Sequence, residues 1–63
     1  MADEDMLHAV RHPVRELASD EVTILIGPAR DSALLEIGVL DIDGDDAVIV
    51  HAMPIRRRFY RYL

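Results

Sequence analysis

The sequence predicts an α+β domain in which a short N-terminal helix packs on a three-stranded antiparallel β-meander, followed by a short basic C-terminal helix or tail. Three observations predict it. Met6, Leu7 and Val10 recur at helical spacing ahead of Pro13; three apolar runs, each bounded by Gly, Pro or Asp turn chemistry, then follow; and four of the seven Arg fall in the last eight residues.

Taken in order, Asp3 suits a helix N-cap, with acids in the first turn to complement the helix dipole. Pro13 disfavours helical geometry at His12, so the helix is expected over residues 3–12. An isolated helix of that length is unstable in water, so its apolar stripe must dock on the sheet. Residues 14–17 are compatible with extended chain, but the first definite strand is Val22-Thr23-Ile24-Leu25-Ile26, placed at 21–27 and closed by Gly27-Pro28. Turn chemistry fills Gly27 to Ser32, and the second strand follows at 33–41, with Leu35, Ile37 and Val39 on the helix-covered face and Leu34, Glu36, Gly38 and Leu40 on the other. Asp43-Gly44 forms the expected tip of the next turn. The third strand spans 47–53, with Val48, Val50 and Ala52 alternating against Ile49, His51 and Met53. Pro54 has no N–H to donate and should end the pairing. In the tail, residues 55–63, Phe59 and Leu63 stand four apart as on a helix face.

Sixty-three residues make a single domain, 1–63, and one so small buries only about 60% of the surface its unfolded chain exposes. Stability of this order calls for an external staple. No Cys is present to form a disulfide, and three His without a thiol argue against structural zinc. Self-association or a protein partner remains, and a 51% hydrophobic content supports apolar surface turned toward one. An acidic N-terminus (Asp3, Glu4, Asp5) is unlike a secretory leader, and no apolar run approaches the ~20 residues that cross a bilayer. A cytoplasmic protein without a membrane segment is expected.

The net charge of −5 is unevenly divided. Residues 1–55 carry all twelve acids against three Arg, a formal −9, whereas residues 56–63 carry four Arg and no acid, a formal +4. The tail is the one cationic patch.

Three constellations invite a chemical reading. Asp41, Asp43 and Asp45 have the spacing of the first EF-hand ligands, but the sixth and twelfth positions, where Gly and a bidentate Glu are required, hold Asp46 and Ala52; a solvated turn is expected. His8 and His12, one helical turn apart, have no Glu to complete a metalloprotease motif, and neither metal nor cofactor is expected. The third constellation is His51-Ala52-Met53-Pro54 followed by Arg56-Arg57-Arg58-Phe59-Tyr60-Arg61-Tyr62. Arg supplies planar, permanently charged donors for phosphate, and interleaved rings stack on unpaired bases, which is what single-stranded RNA requires. His51 adds a proton carrier near neutral pH. The structural reading of the same residues packs Phe59 and Tyr62 on the sheet and leaves the arginines solvated or paired with the acidic body.

The succession Ile26-Gly27-Pro28-Ala29-Arg30-Asp31, Leu34-Leu35-Glu36-Ile37-Gly38-Val39, an acidic turn, and Val48-Ile49-Val50-His51-Ala52-Met53-Pro54-Ile55-Arg56 with a terminal Phe59-Tyr60 resembles very small actinobacterial proteins. These look like BrnT-type toxins of the RelE/ParE superfamily, from type II toxin–antitoxin pairs. The likeness spans residues 6–60, and His-Ala-Met-Pro is its one distinctive word. It implies a helix on an antiparallel sheet, cleavage of RNA on the ribosome or free, and neutralisation by a cognate antitoxin. By position it assigns catalysis to His51, Arg56 and Tyr60, and RNA binding to Arg57, Arg58, Arg61 and Tyr62. The alternative is a non-enzymatic binding protein, a dimer or accessory subunit whose Arg and aromatic tail docks on an acidic partner, since Arg and Tyr are also enriched at interface hot spots.

Overall fold

The computed structural model describes residues 1–19 and 21–63. Helix α1 spans Asp3–Arg11, and strands β1 (Arg15–Ala18), β2 (Val22–Pro28), β3 (Leu34–Leu40) and β4 (Val48–Pro54) follow, then a 3₁₀ helix over Arg57–Tyr62. The strands form one antiparallel sheet in the order β1-β2-β3-β4. The α+β class is as expected, but the meander has four strands, not three. β1 escapes a reading based on apolar runs because it is a four-residue edge strand in which Leu17 alone is half-buried. Its place comes from pairing with β2, from Arg15 opposite Ile26 to Ala18 opposite Thr23.

Helix α1 lies on one face of β2 and β3. Ala9 is fully buried, with Met6 and Val10 beside it against Leu25, Leu35, Ile37 and Val39. Leu7 does not join this stripe and is 40% exposed, because Ala9 is the residue one turn-step from Met6 that meets the sheet. Asp3 is the first helical residue and Ala2 the cap, without a side-chain capping bond. The helix is anchored at closer range. His8 donates from Nδ1 to the Pro28 carbonyl at 2.8 Å, and Arg30 donates to the Asp5 carboxylate at 2.8 Å. Gly27 serves this packing rather than closing the strand: a Cβ there would run into the Ala9 carbonyl, and β2 continues through Pro28, paired with Leu34.

The first turn falls within the expected segment 27–32, whereas the second takes its left-handed position at another residue than the sequence suggests. Between β2 and β3, Ser32 takes the left-handed conformation (φ 76°) and the Asp31 carboxylate accepts from the Ala33 N–H at 3.0 Å. Between β3 and β4, Asp41 is left-handed (φ 56°) while Gly44 is not, and Gly44 is needed because the Asp41 carboxylate occupies the space a Cβ would take. Asp tolerates this backbone region better than most residues.

In β4 a bulge interrupts strict alternation: Gly38 pairs with His51, yet Val39 pairs with Ile49. The extra residue is Val50, so Ile49 and Ala52 join the helix-side core and Val48, His51 and Met53 share the opposite face. Pro54 does not end the pairing; it stands opposite Leu35, and the Ile55 N–H donates to the Leu34 carbonyl at 3.1 Å. A proline is compatible with an edge strand, where its missing donor faces away from the ladder.

Candidate functional site

The face of the sheet opposite α1 carries Ile26, Glu36, Gly38, His51 and Met53 side by side in the register. Ile26 and Glu36 are fully buried there. A carboxylate in such a place needs a counter-charge, because desolvating it without one costs several kcal/mol. Arg56 provides it: the chain leaves β4 and turns back over this face, and Arg56 donates from Nε to Glu36 Oε1 at 2.5 Å and from its backbone N–H to Oε2 at 3.4 Å.

His51 completes the cluster. Its imidazole lies over Gly38, where a Cβ would stand 2.6 Å from Nδ1, so a larger residue at 38 would displace the ring. Nε2 is buried without a hydrogen-bond partner and lies 3.9 Å from Glu36 Oε1, outside bonding range. The side chain keeps 36% of its surface open to solvent.

The 3₁₀ helix then crosses the same face toward β1. Arg15 donates from Nε to the Tyr62 carbonyl at 2.5 Å, tying the last turn to the far edge of the sheet. Three residues per turn bring Phe59 and Tyr62 onto one side, their ring centroids 6.3 Å apart, and leave Leu63 half-exposed, where an α-helical spacing would have paired Phe59 with Leu63. Arg58 stacks on Phe59 with its guanidinium carbon 5.0 Å from the ring centre, and Arg61 lies 5.1 Å over Tyr62. Such pairs hold the planar cations in place at an exposed surface. Arg57, Arg58 and Arg61 are exposed, and Tyr60, at 53%, is the aromatic ring most open to a ligand.

Of the residues singled out from sequence, His51 and Arg56 therefore meet at Glu36, whereas Arg57, Arg58, Tyr60, Arg61 and Tyr62 form a neighbouring exposed strip on the 3₁₀ helix. Glu36 and Arg15 were not foreseen as site residues. The signal for Glu36 was present: one acid in the middle of the apolar run Leu34 to Leu40 either faces water or needs a buried partner. His8 and His12, whose rings are 4.4 Å apart, both spend Nδ1 on carbonyls, of Pro28 and His8 respectively, and so act in the fold. Among the described residues no helix is long and apolar enough to cross a membrane. No protein-family model, curated protein or solved structure matches this chain.

Proposed function

We propose that the chain is the toxin of a type II toxin–antitoxin pair, a BrnT-like, RNA-directed ribonuclease held in check by a small cognate antitoxin. The observation that carries this reading is the exposed strip Arg57, Arg58, Tyr60 and Arg61, which continues directly from Arg56, whose partner Glu36 lies 3.9 Å from His51. Attack of a ribose 2′-OH on its own phosphate requires a base, an acid and cationic stabilisation of the developing charge. In this reading His51 and Tyr60 move the protons, Arg57 and Arg58 hold the phosphate, and Arg61 and Tyr62 bind the flanking nucleotides. Arg56 gives its Nε to Glu36 and offers the phosphate its remaining guanidinium edge. The likeness of residues 6–60 to BrnT-type chains supports the same assignment.

A second reading, a non-enzymatic binding protein that docks its tail on an acidic partner, is favoured by one observation of its own. The body of the protein is acidic, and like charge slows approach to a polyanion. Inducible expression in a host without the partner separates the two. The toxin reading expects growth arrest that disappears when Arg57, Arg58 and Arg61 are changed to Gln. It also expects His51→Ala to lower cleavage by about 10²–10⁴ while RNA affinity is kept. A folded wild-type chain that neither binds RNA nor slows growth leaves the docking module.

A further inference from the structure

On the helix side of the sheet, α1 covers only part of the surface: its nine residues extend about 14 Å, against about 23 Å for a seven-residue strand. Beyond its C-terminal end lies an open groove of about 440 Å³ lined by Val10, Pro13, Leu25, Val39, Ile42 and Ile49 together with Glu16 and Ala47. No basic residue lines it. One wall is the β3–β4 turn, between Ile42 and Ala47, on which Asp43, Asp45 and Asp46 are all exposed. An apolar floor with one acid, Glu16, in its lining and an acidic turn joining two of its lining residues selects a segment that is both aromatic or aliphatic and cationic.

We infer that this groove receives the C-terminal segment of a second copy of the chain, in a head-to-tail contact. The charge division supplies the complementarity: the segment 56–63 has four Arg and no acid. It also presents Tyr60, Tyr62 and Leu63 at 53%, 37% and 50% exposure, apolar surface that its own sheet does not cover. The contact has to be intermolecular. Arg56 is bound to Glu36 on the face away from α1, and the tail departs from the Pro54 end of β4, whereas the acidic turn precedes the Val48 end. Sheet and strand length both separate a tail from its own groove. Because donor and acceptor surfaces differ, the contact is heterologous and extends to rings or open chains. It goes beyond the toxin reading and is independent of RNA, although an engaged tail would be hidden from any other ligand.

Sedimentation of RNA-free protein in low salt tests the inference. The wild type should associate, with affinity falling about tenfold or more between 50 and 300 mM salt. A groove variant (Glu16→Gln, Asp43→Asn, Asp45→Asn, Asp46→Asn) and a tail variant (Arg57→Gln, Arg58→Gln, Arg61→Gln) should each be monomeric. Mixed, they should form a 1:1 heterodimer, since one intact tail meets one intact groove and the contact cannot propagate. A monomeric wild type, variants that associate like the wild type, or a mixture that stays monomeric would each overturn it. Salt-insensitive dimers untouched by both variants would point instead to pairing along the β4 edge. Growth arrest with no self-association sinks this inference alone, and self-association of the wild type with no RNA binding by the monomeric groove variant, whose tail is free, sinks the toxin reading alone.

Discussion

At the scale of single residues, the charge on Glu36 decides the most. It is fully buried, so its ion pair with Arg56 is a condition of the fold and not an ornament on it. Removing one partner of such a pair costs about 3–5 kcal/mol, while replacing both with apolar residues of similar volume is often neutral. Arg56→Met should therefore lower stability by about that amount, and Glu36→Leu with Arg56→Met should recover most of it; urea denaturation of the two variants reads the difference. An exposed pair behaves otherwise. The Arg30 hydrogen bond holds the Asp5 carboxyl below its ordinary value of 3.8, and because a depressed acid stabilises only while ionised, its contribution is intact at neutral pH and lost as pH falls through the folded-state value. Titration followed by NMR should give Asp5 a midpoint below 3.8 in the wild type and near 3.8 in Arg30→Gln, with little change in melting temperature, as befits a solvated pair.

At the scale of elements, the central strand is where sequence and structure agree most closely. Leu35, Ile37 and Val39 face the helix and are at most 5% exposed, so Leu35→Ala or Ile37→Ala should cost about 2–5 kcal/mol, read as a collapse of the thermal transition in circular dichroism. A period of two in a continuous apolar run made this face legible. The same rule failed one strand later, where the bulge at Val50 reversed the sides of Val48 and Ile49; nothing in Val-Ile-Val marks a bulge, since each residue suits either face. β1 was legible only as chain compatible with an extended conformation, as an edge strand with one half-buried side chain has too little pattern to count as a strand. In the candidate site, His51 and the Arg-rich segment could be picked out by residue type. Their tie to Glu36 could not, because it depends on the chain doubling back across a sheet. Gly27 shows how a correct residue can be given the wrong reason: it reads as punctuation, but its contact is with Ala9. Gly27→Ala should force the helix outward and cost about 1–3 kcal/mol, and a melting temperature unchanged from wild type would show that α1 can yield at no expense.

At the scale of the whole molecule, the sheet is a thin middle layer with unequal covers, α1 on one side and the 3₁₀ helix on the other. A chain of this size has roughly 3–9 kcal/mol of stability to lose. The tail therefore has two roles that a simple deletion confounds. Arg56 pairs with the buried Glu36 and lies 5.6 Å from the Phe59 ring centre, whereas Arg57, Arg58 and Arg61 are exposed, Arg58 and Arg61 lying over Phe59 and Tyr62. Truncation after Ile55 should then unfold the domain, because it leaves a buried carboxylate without a cation at about 3–5 kcal/mol, before any loss of apolar cover is added. Neutralising Arg57, Arg58 and Arg61 should instead leave the far-ultraviolet spectrum and the thermal midpoint nearly unchanged, since exposed substitutions of this kind usually stay within about 0.5 kcal/mol. Comparison of these two chains by circular dichroism and urea titration separates the structural half of the tail from the half available to a ligand. If the truncated chain melts like the wild type, Arg56 is not what keeps Glu36 buried, and the ion pair loses its place as the bond between this fold and its candidate site.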